Sequence, residues 1–157
     1  RYIAEERRQF KNLKCMTWSE VQQLHHAGIT FGSHTVNHRQ LNVLEINKVE
    51  EELRCSKETI EDQLGRSVDS FCYPFAFPET DRMFQRRFRD LLKAQGYKTG
   101  VTTILGTLKA NSDQFFLPRL PVNSWDDLRL LRAKLEGAYD WLHYLQYAAK
   151  LGKPMFF

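Results

Sequence analysis

The chain has 157 residues, 42% apolar and 13% aromatic, which is long enough for one domain with a real core, too short for two comfortable ones, and unlike a disordered protein. Its net charge of +4 is mild, and the basic residues are scattered except for Arg82, Arg86, Arg87 and Arg89, which share one predicted helix and read as a solvated face. Zinc-finger spacing, a glycine-rich phosphate loop, an aromatic-basic RNA signature, a signal peptide and an apolar run of roughly twenty residues are all absent, so neither nucleic acid nor a membrane-spanning segment is expected.

Residues 1–16 are polar and charged and read as an arm or linker, and the start at Arg1 reads as a processed product or a piece of something longer. Thr17-Trp18-Ser19-Glu20 matches a capping box, in which the Thr side chain caps a helix and Glu three residues on returns the bond. Trp18, Val21 and Leu24 recur at helical spacing until Gly28. A short strand is predicted at Ile29–Gly32, followed by His34-Thr35-Val36-Asn37-His38. Ile46, Val49, Leu53, Ile60 and Leu64 then fall on one face of a long helix that ends at Gly65. Val68–Tyr73 reads as a second strand, closed by Pro74-Phe75-Ala76-Phe77-Pro78. A helix carrying Met83, Phe84, Leu91 and Leu92 stops near Gly96, and Tyr97–Thr103 forms a third strand. Phe115–Val122 is a fourth, of which only part is expected to pair because of Pro118 and Pro121. Ser124 is the predicted cap of a helix through Leu128, Leu131 and Leu135. Residues 139–157 form an aromatic helical tail, expected to pack its stripe of Tyr139, Trp141, Tyr144 and Tyr147 on the body or against a missing segment or a partner. The three cysteines, Cys15, Cys55 and Cys72, lack metal-type spacing, and Cys55 in a helical pattern and Cys72 in a strand pattern read as buried free thiols.

Helices alternating with strands across short connections indicate an α/β fold with a parallel sheet, whose active sites gather at the carboxyl ends of the strands. Three chemically distinctive segments fall there: the two histidines, Tyr73-Pro74-Phe75 and Arg119-Leu120-Pro121. Two imidazoles four positions apart can converge on one divalent metal such as zinc, which would need a third ligand and an open position for water. The same spacing also arises in polar surface turns.

Taken together, these segments resemble the polysaccharide deacetylase family, also called the NodB-homology or carbohydrate esterase family 4 domain. His34-Thr35-Val36-Asn37-His38 fits that family's His-Ser/Thr-x-x-His motif, and Phe71-Cys72-Tyr73-Pro74-Phe75-Ala76 looks like its third motif. Gly96-Tyr97, Val101-Thr102-Thr103 and Leu117-Pro118-Arg119-Leu120-Pro121-Val122 fit one bacterial branch, so the likeness runs from about Trp18 to Leu135 within a domain of residues 17–138. The resemblance implies a distorted (β/α) barrel, incomplete in this chain, that removes acetyl groups from an N-acetylated polysaccharide or oligosaccharide. It implies a divalent metal, zinc above all, held by His34, His38 and an aspartate. Thr35 would fix the loop, the Phe75 N–H would help hold the oxyanion, Arg119 would orient a catalytic carboxylate or stand as a plain sheet-end arginine, and Tyr73 and Pro74 would meet substrate. The family's usual place of work implies an extracytoplasmic location.

The departures are specific. The family's Thr-Phe-Asp-Asp-Gly motif has no counterpart; Asp126-Asp127 is the only adjacent aspartate pair and sits at a predicted helix start. Ala76 replaces the usual glycine, no arginine precedes the third-motif proline, and His143 is a weak substitute for a late catalytic histidine. The chain therefore reads as the carboxyl-terminal portion of a longer deacetylase, with a missing amino-terminal segment or a second copy completing the site. The alternatives are a non-catalytic carbohydrate-binding relative, with Trp125, Tyr73 and Phe77 as sugar-stacking candidates, and a related barrel hydrolase acting on a small non-sugar amide.

Overall fold

A computed structural model describes residues 15–151, so most of the arm and the last six residues of the tail lie outside the described residues. The chain divides into two compact units, Arg1–Phe31 and Gly32–Phe157. In the first, α1 (Trp18–His26) begins at the predicted capping box: the Glu20 N–H donates to Thr17 Oγ1 and the Thr17 N–H to Glu20 Oε2, at 3.3 and 2.7 Å.

The second unit holds α2 (Ile46–Leu64), β1 (Ser70–Cys72), α3 (Arg82–Ala94), β2 (Thr99–Leu105), β3 (Leu117–Arg119), α4 (Leu128–Leu135) and α5 (Leu142–Leu151), with a short 3-10 turn at Leu41–Val43. Its three strands pair in the order β1-β2-β3, both pairs parallel, and Ser33 adds one parallel bridge to Phe71. The predicted strand at 29–32 does not form; the bridge falls one residue later, made by Ser33 N–H to Ser70 O at 2.9 Å and Cys72 N–H to Ser33 O at 2.8 Å. Close approach is written into the neighbouring glycines. A Cβ on Gly100 would stand 2.4 Å from the Phe115 carbonyl oxygen, so only glycine lets β2 pass its neighbour there.

The core lies between the sheet and the helices. From α2 come Val49 and Leu53; from β1, Phe71; from α3, Phe88 and Leu92; Leu41, Tyr73, Phe77 and Tyr97 close it from loops. The α2 stripe follows the predicted spacing, and Gly65 ends the helix in the left-handed conformation, at φ 63°. Aromatic rings interlock edge to face around β1: Phe71 with Phe88 and Tyr97 at 5.7 and 5.6 Å, and Tyr73 with Phe77 and Phe88 at 5.0 and 5.5 Å.

Several expectations change in three dimensions. Asp127 rather than Ser124 caps α4, accepting the Leu130 N–H at 2.7 Å, because residues 123–126 are taken up by a turn closed by the Asp126 N–H on Asn123 O. Arg89 leaves the solvated row of Arg82, Arg86 and Arg87: it pairs with Asp113 and lies over the Phe116 ring at 4.9 Å. Cys55 and Cys72 are free but only half-buried, and Cys15 is exposed. The tail docks through polar groups instead of its aromatic stripe. Gln146 bridges β2, accepting the Leu105 N–H and donating to Thr103 O, while His143 and Lys150 both reach Glu79. Trp141 and Tyr144 stay 55% and 74% exposed.

Candidate active site

The histidine loop leaves the sheet at Ser33, whose side chain is buried and hydrogen-bonded to Ser56 on α2. His34 Nδ1 lies 2.7 Å from the Cys72 carbonyl oxygen at the end of β1. A carbonyl oxygen only accepts, so Nδ1 is the donor, and Nε2 is the ring nitrogen left for a ligand contact, as in a metal-binding imidazole. The His34 and His38 rings are 4.9 Å apart between centroids, at 69° to one another, and both residues are exposed. Two imidazoles sharing one ion at ordinary zinc–nitrogen distances have centroids about 5 Å apart. The pair therefore fits two ligands of a zinc-like ion, while no group of three His, Cys, Asp or Glu that could hold a metal occurs among the described residues.

Among the described residues, the non-glycine residues with positive φ are Thr35 (70°), His38 (49°) and Phe75 (58°). All three belong to this site, and the His38 ring lies 4.7 Å from that of Phe75. Such conformations cost on the order of 1–3 kcal/mol each and persist only where the surroundings enforce them. Part of the enforcement is local: Thr35 Oγ1 accepts the His38 N–H at 3.0 Å.

A second anchor is Glu52 on α2, a residue that the sequence analysis did not single out. Its carboxylate is 8% exposed and accepts the Val36 and Asn37 N–H groups at 2.8 and 2.9 Å and Asn37 Nδ2 at 2.7 Å. A signal existed in the sequence: Glu52 stands three residues after Val49 and next to Leu53, at the margin of the buried stripe. Burial pushes the Glu52 carboxyl up, but the hydrogen bonds from Asn37 and Val36, with the charge of Arg39, outweigh it and hold the pKa below its ordinary 4.5. A depressed carboxyl contributes stability that is present above its unfolded pKa and is lost as pH falls through the folded one. The Val36 and Asn37 amide resonances are therefore expected to titrate together, with an apparent midpoint below pH 4.5. A midpoint above that value in an NMR titration would contradict the anchoring.

The remaining candidates sort by burial. Tyr73 is 1% exposed and Pro74 is fully buried, so neither side chain offers surface to a sugar; burial pushes the Tyr73 hydroxyl well above its usual range. Phe77 is buried likewise, leaving Trp125 exposed among the expected stacking residues. Phe75 is half-exposed beside His38, and its N–H forms no hydrogen bond within the described residues. Arg119 is exposed and donates from Nη1 to Cys72 Sγ at 3.4 Å; it pairs with no carboxylate among the described residues. Cys72 thus joins the His34 ring, through its carbonyl, to Arg119, through its thiol.

This geometry defines a sheet-end site of two convergent imidazoles. The chain matches the polysaccharide deacetylase family over residues 3–100, and it belongs to that family. Among solved structures it is similar to the deacetylase PplD of Streptococcus pyogenes in complex with acetate, with 21% identity, TM-score 0.69, and 81% of this chain and 54% of that one covered. It is also similar to IcaB of Ammonifex degensii, with 18% identity, TM-score 0.60, and 80% and 55% covered. A de-N-acetylase of Aggregatibacter actinomycetemcomitans gives 17%, 0.59, 80% and 57%. The chain spans little more than half of each of these structures, and its small open parallel sheet agrees with an incomplete barrel of this type. No curated protein matches it.

Proposed function

We propose that the protein is a metal-dependent hydrolase that removes N-acetyl groups from a polysaccharide or another N-acetylated sugar. The observation that carries this reading is the pair His34 and His38, with rings 4.9 Å apart and Nδ1 of His34 committed to Cys72 O, which leaves Nε2 as a ligand. A divalent metal there, zinc by its preference for imidazole, would polarise the acetamide carbonyl and lower the pKa of a bound water. His34 and His38 would hold it, completed by a carboxylate from outside the described residues. Thr35 shapes the loop between them. The uncommitted Phe75 N–H is a donor for the oxyanion that develops as the acetamide is attacked. Arg119, beside Cys72, stands at the same end of the sheet, where it could orient an incoming carboxylate. Family membership also supports work on envelope or extracellular polysaccharide, outside the cytoplasm; among the described residues no helix is long and apolar enough to cross a membrane.

The test is acetate release. Zinc-loaded protein incubated with N-acetylglucosamine oligomers is expected to liberate acetate, and a chelator to stop it. Binding of the oligomers without acetate release, unchanged by chelator, would replace this reading with the carbohydrate-binding one. Release from a small non-sugar amide alone would replace the substrate class.

A further inference from the structure

We propose that Glu52 is the positioning residue of this site: from α2, its carboxylate selects the one conformation of the 35–38 loop in which the His34 and His38 rings face each other. The proposal rests on reading those histidines as a functional pair.

A carboxylate taken out of water needs compensation by hydrogen bonds or opposite charge. Among the described residues Glu52 makes no ion pair, only the more distant charge of Arg39 favours it, and its hydrogen-bond donors all come from one place, the two residues between Thr35 and His38. Val49 and Leu53, at 1% and 0% exposure, hold α2 on the core, so the carboxylate is presented from a rigid element. The loop, by contrast, is not self-supporting. It carries positive φ at Thr35 and at His38, and its other anchors are the Thr35 hydroxyl on the His38 N–H and the His34 ring on Cys72 O. Charged acceptors make the stronger hydrogen bonds, and Oε2 takes two consecutive backbone N–H groups at once, which fixes the peptide plane between Val36 and Asn37. That plane sets where His38 emerges.

The distinction from a purely structural role comes from two variants. Glu52→Leu keeps the helix propensity and an apolar side chain at the margin of the buried stripe but removes every acceptor; because Val36 and Asn37 are exposed, water takes up their N–H groups and the fold survives. Glu52→Gln keeps an oxygen for the two backbone donors, and a flip of the Asn37 amide lets its oxygen accept from the new NH2 group. In metal-free protein, NMR should show cross-relaxation between the His34 and His38 rings in the wild type, its loss in Glu52→Leu and its return in Glu52→Gln, with the β2 amides unmoved. Zinc competition should then show affinity about 10- to 100-fold weaker in Glu52→Leu and largely recovered in Glu52→Gln. Persistence of the ring contact in folded Glu52→Leu overturns the proposal, whatever the metal does. Loss of the contact in that variant, in a wild type that binds no zinc, upholds the positioning role and removes the metal reading instead.

Discussion

Replacing either His34 or His38 by alanine is expected to abolish stoichiometric zinc binding, weakening affinity by about 100-fold or more, since changes to groups that merely orient a ligand already cost about 10- to 100-fold. On the proposed reading each ring would supply one nitrogen, and no third His, Cys, Asp or Glu of the described residues stands by to replace it. His34→Ala removes in addition the bond to Cys72 O that ties the loop to the end of β1. His26→Ala is the control: His26 is exposed on α1 with its Nδ1 2.7 Å from Gln22 O, and its loss should leave zinc content unchanged. The measurement is elemental analysis of the purified proteins, with circular dichroism to show that each variant is folded. Full zinc occupancy in either site variant would sink the assignment.

Phe71→Ala should produce the largest loss of stability. The ring is 1% exposed at the centre of β1, edge-to-face with Phe88 and Tyr97, so truncation opens a cavity walled by a ring of α3 and by the Tyr97 ring, whose hydroxyl donates to Leu53 O on α2. Buried Phe-to-Ala changes cost about 3–5 kcal/mol. For a chain of this length that corresponds to a fall in Tm of roughly 6–20 °C. Val36→Ala, at an exposed loop position, should stay within about 0.5 kcal/mol. Equal Tm values for the two variants in a thermal melt would mean that the aromatic cluster is not the centre of the core.

Local signals were read well from the chain because their physics is local. The capping box at Thr17 and Glu20 spans four residues, and the α2 stripe with its terminal Gly65 depends only on helical spacing and on a left-handed stop. Strand pairing is less local. Ile29–Gly32 has the composition of a strand, yet the single bridge to the sheet falls one residue later, at Ser33. The α4 cap shows the limit at short range: Ser124 and Asp127 are both good caps, and the turn at 123–126 decides between them. Tyr73 illustrates the reverse. An aromatic beside a candidate site looks like a sugar platform in sequence, but its neighbours Phe77 and Phe88 wall it into the core.

By itself the sequence determined the α/β alternation, the family and the histidine pair as its candidate site, since periodicity and motif spacing are properties of consecutive residues. Only the tertiary structure decided what holds those histidines. Glu52 reaches Val36 and Asn37 across 16 and 15 positions, His34 reaches Cys72 across 38, and Arg119 reaches Cys72 across 47. Hydrogen bonds of that separation exist only after the helices and strands have packed, because their geometry is set by which faces the core brings together and not by any spacing along the chain.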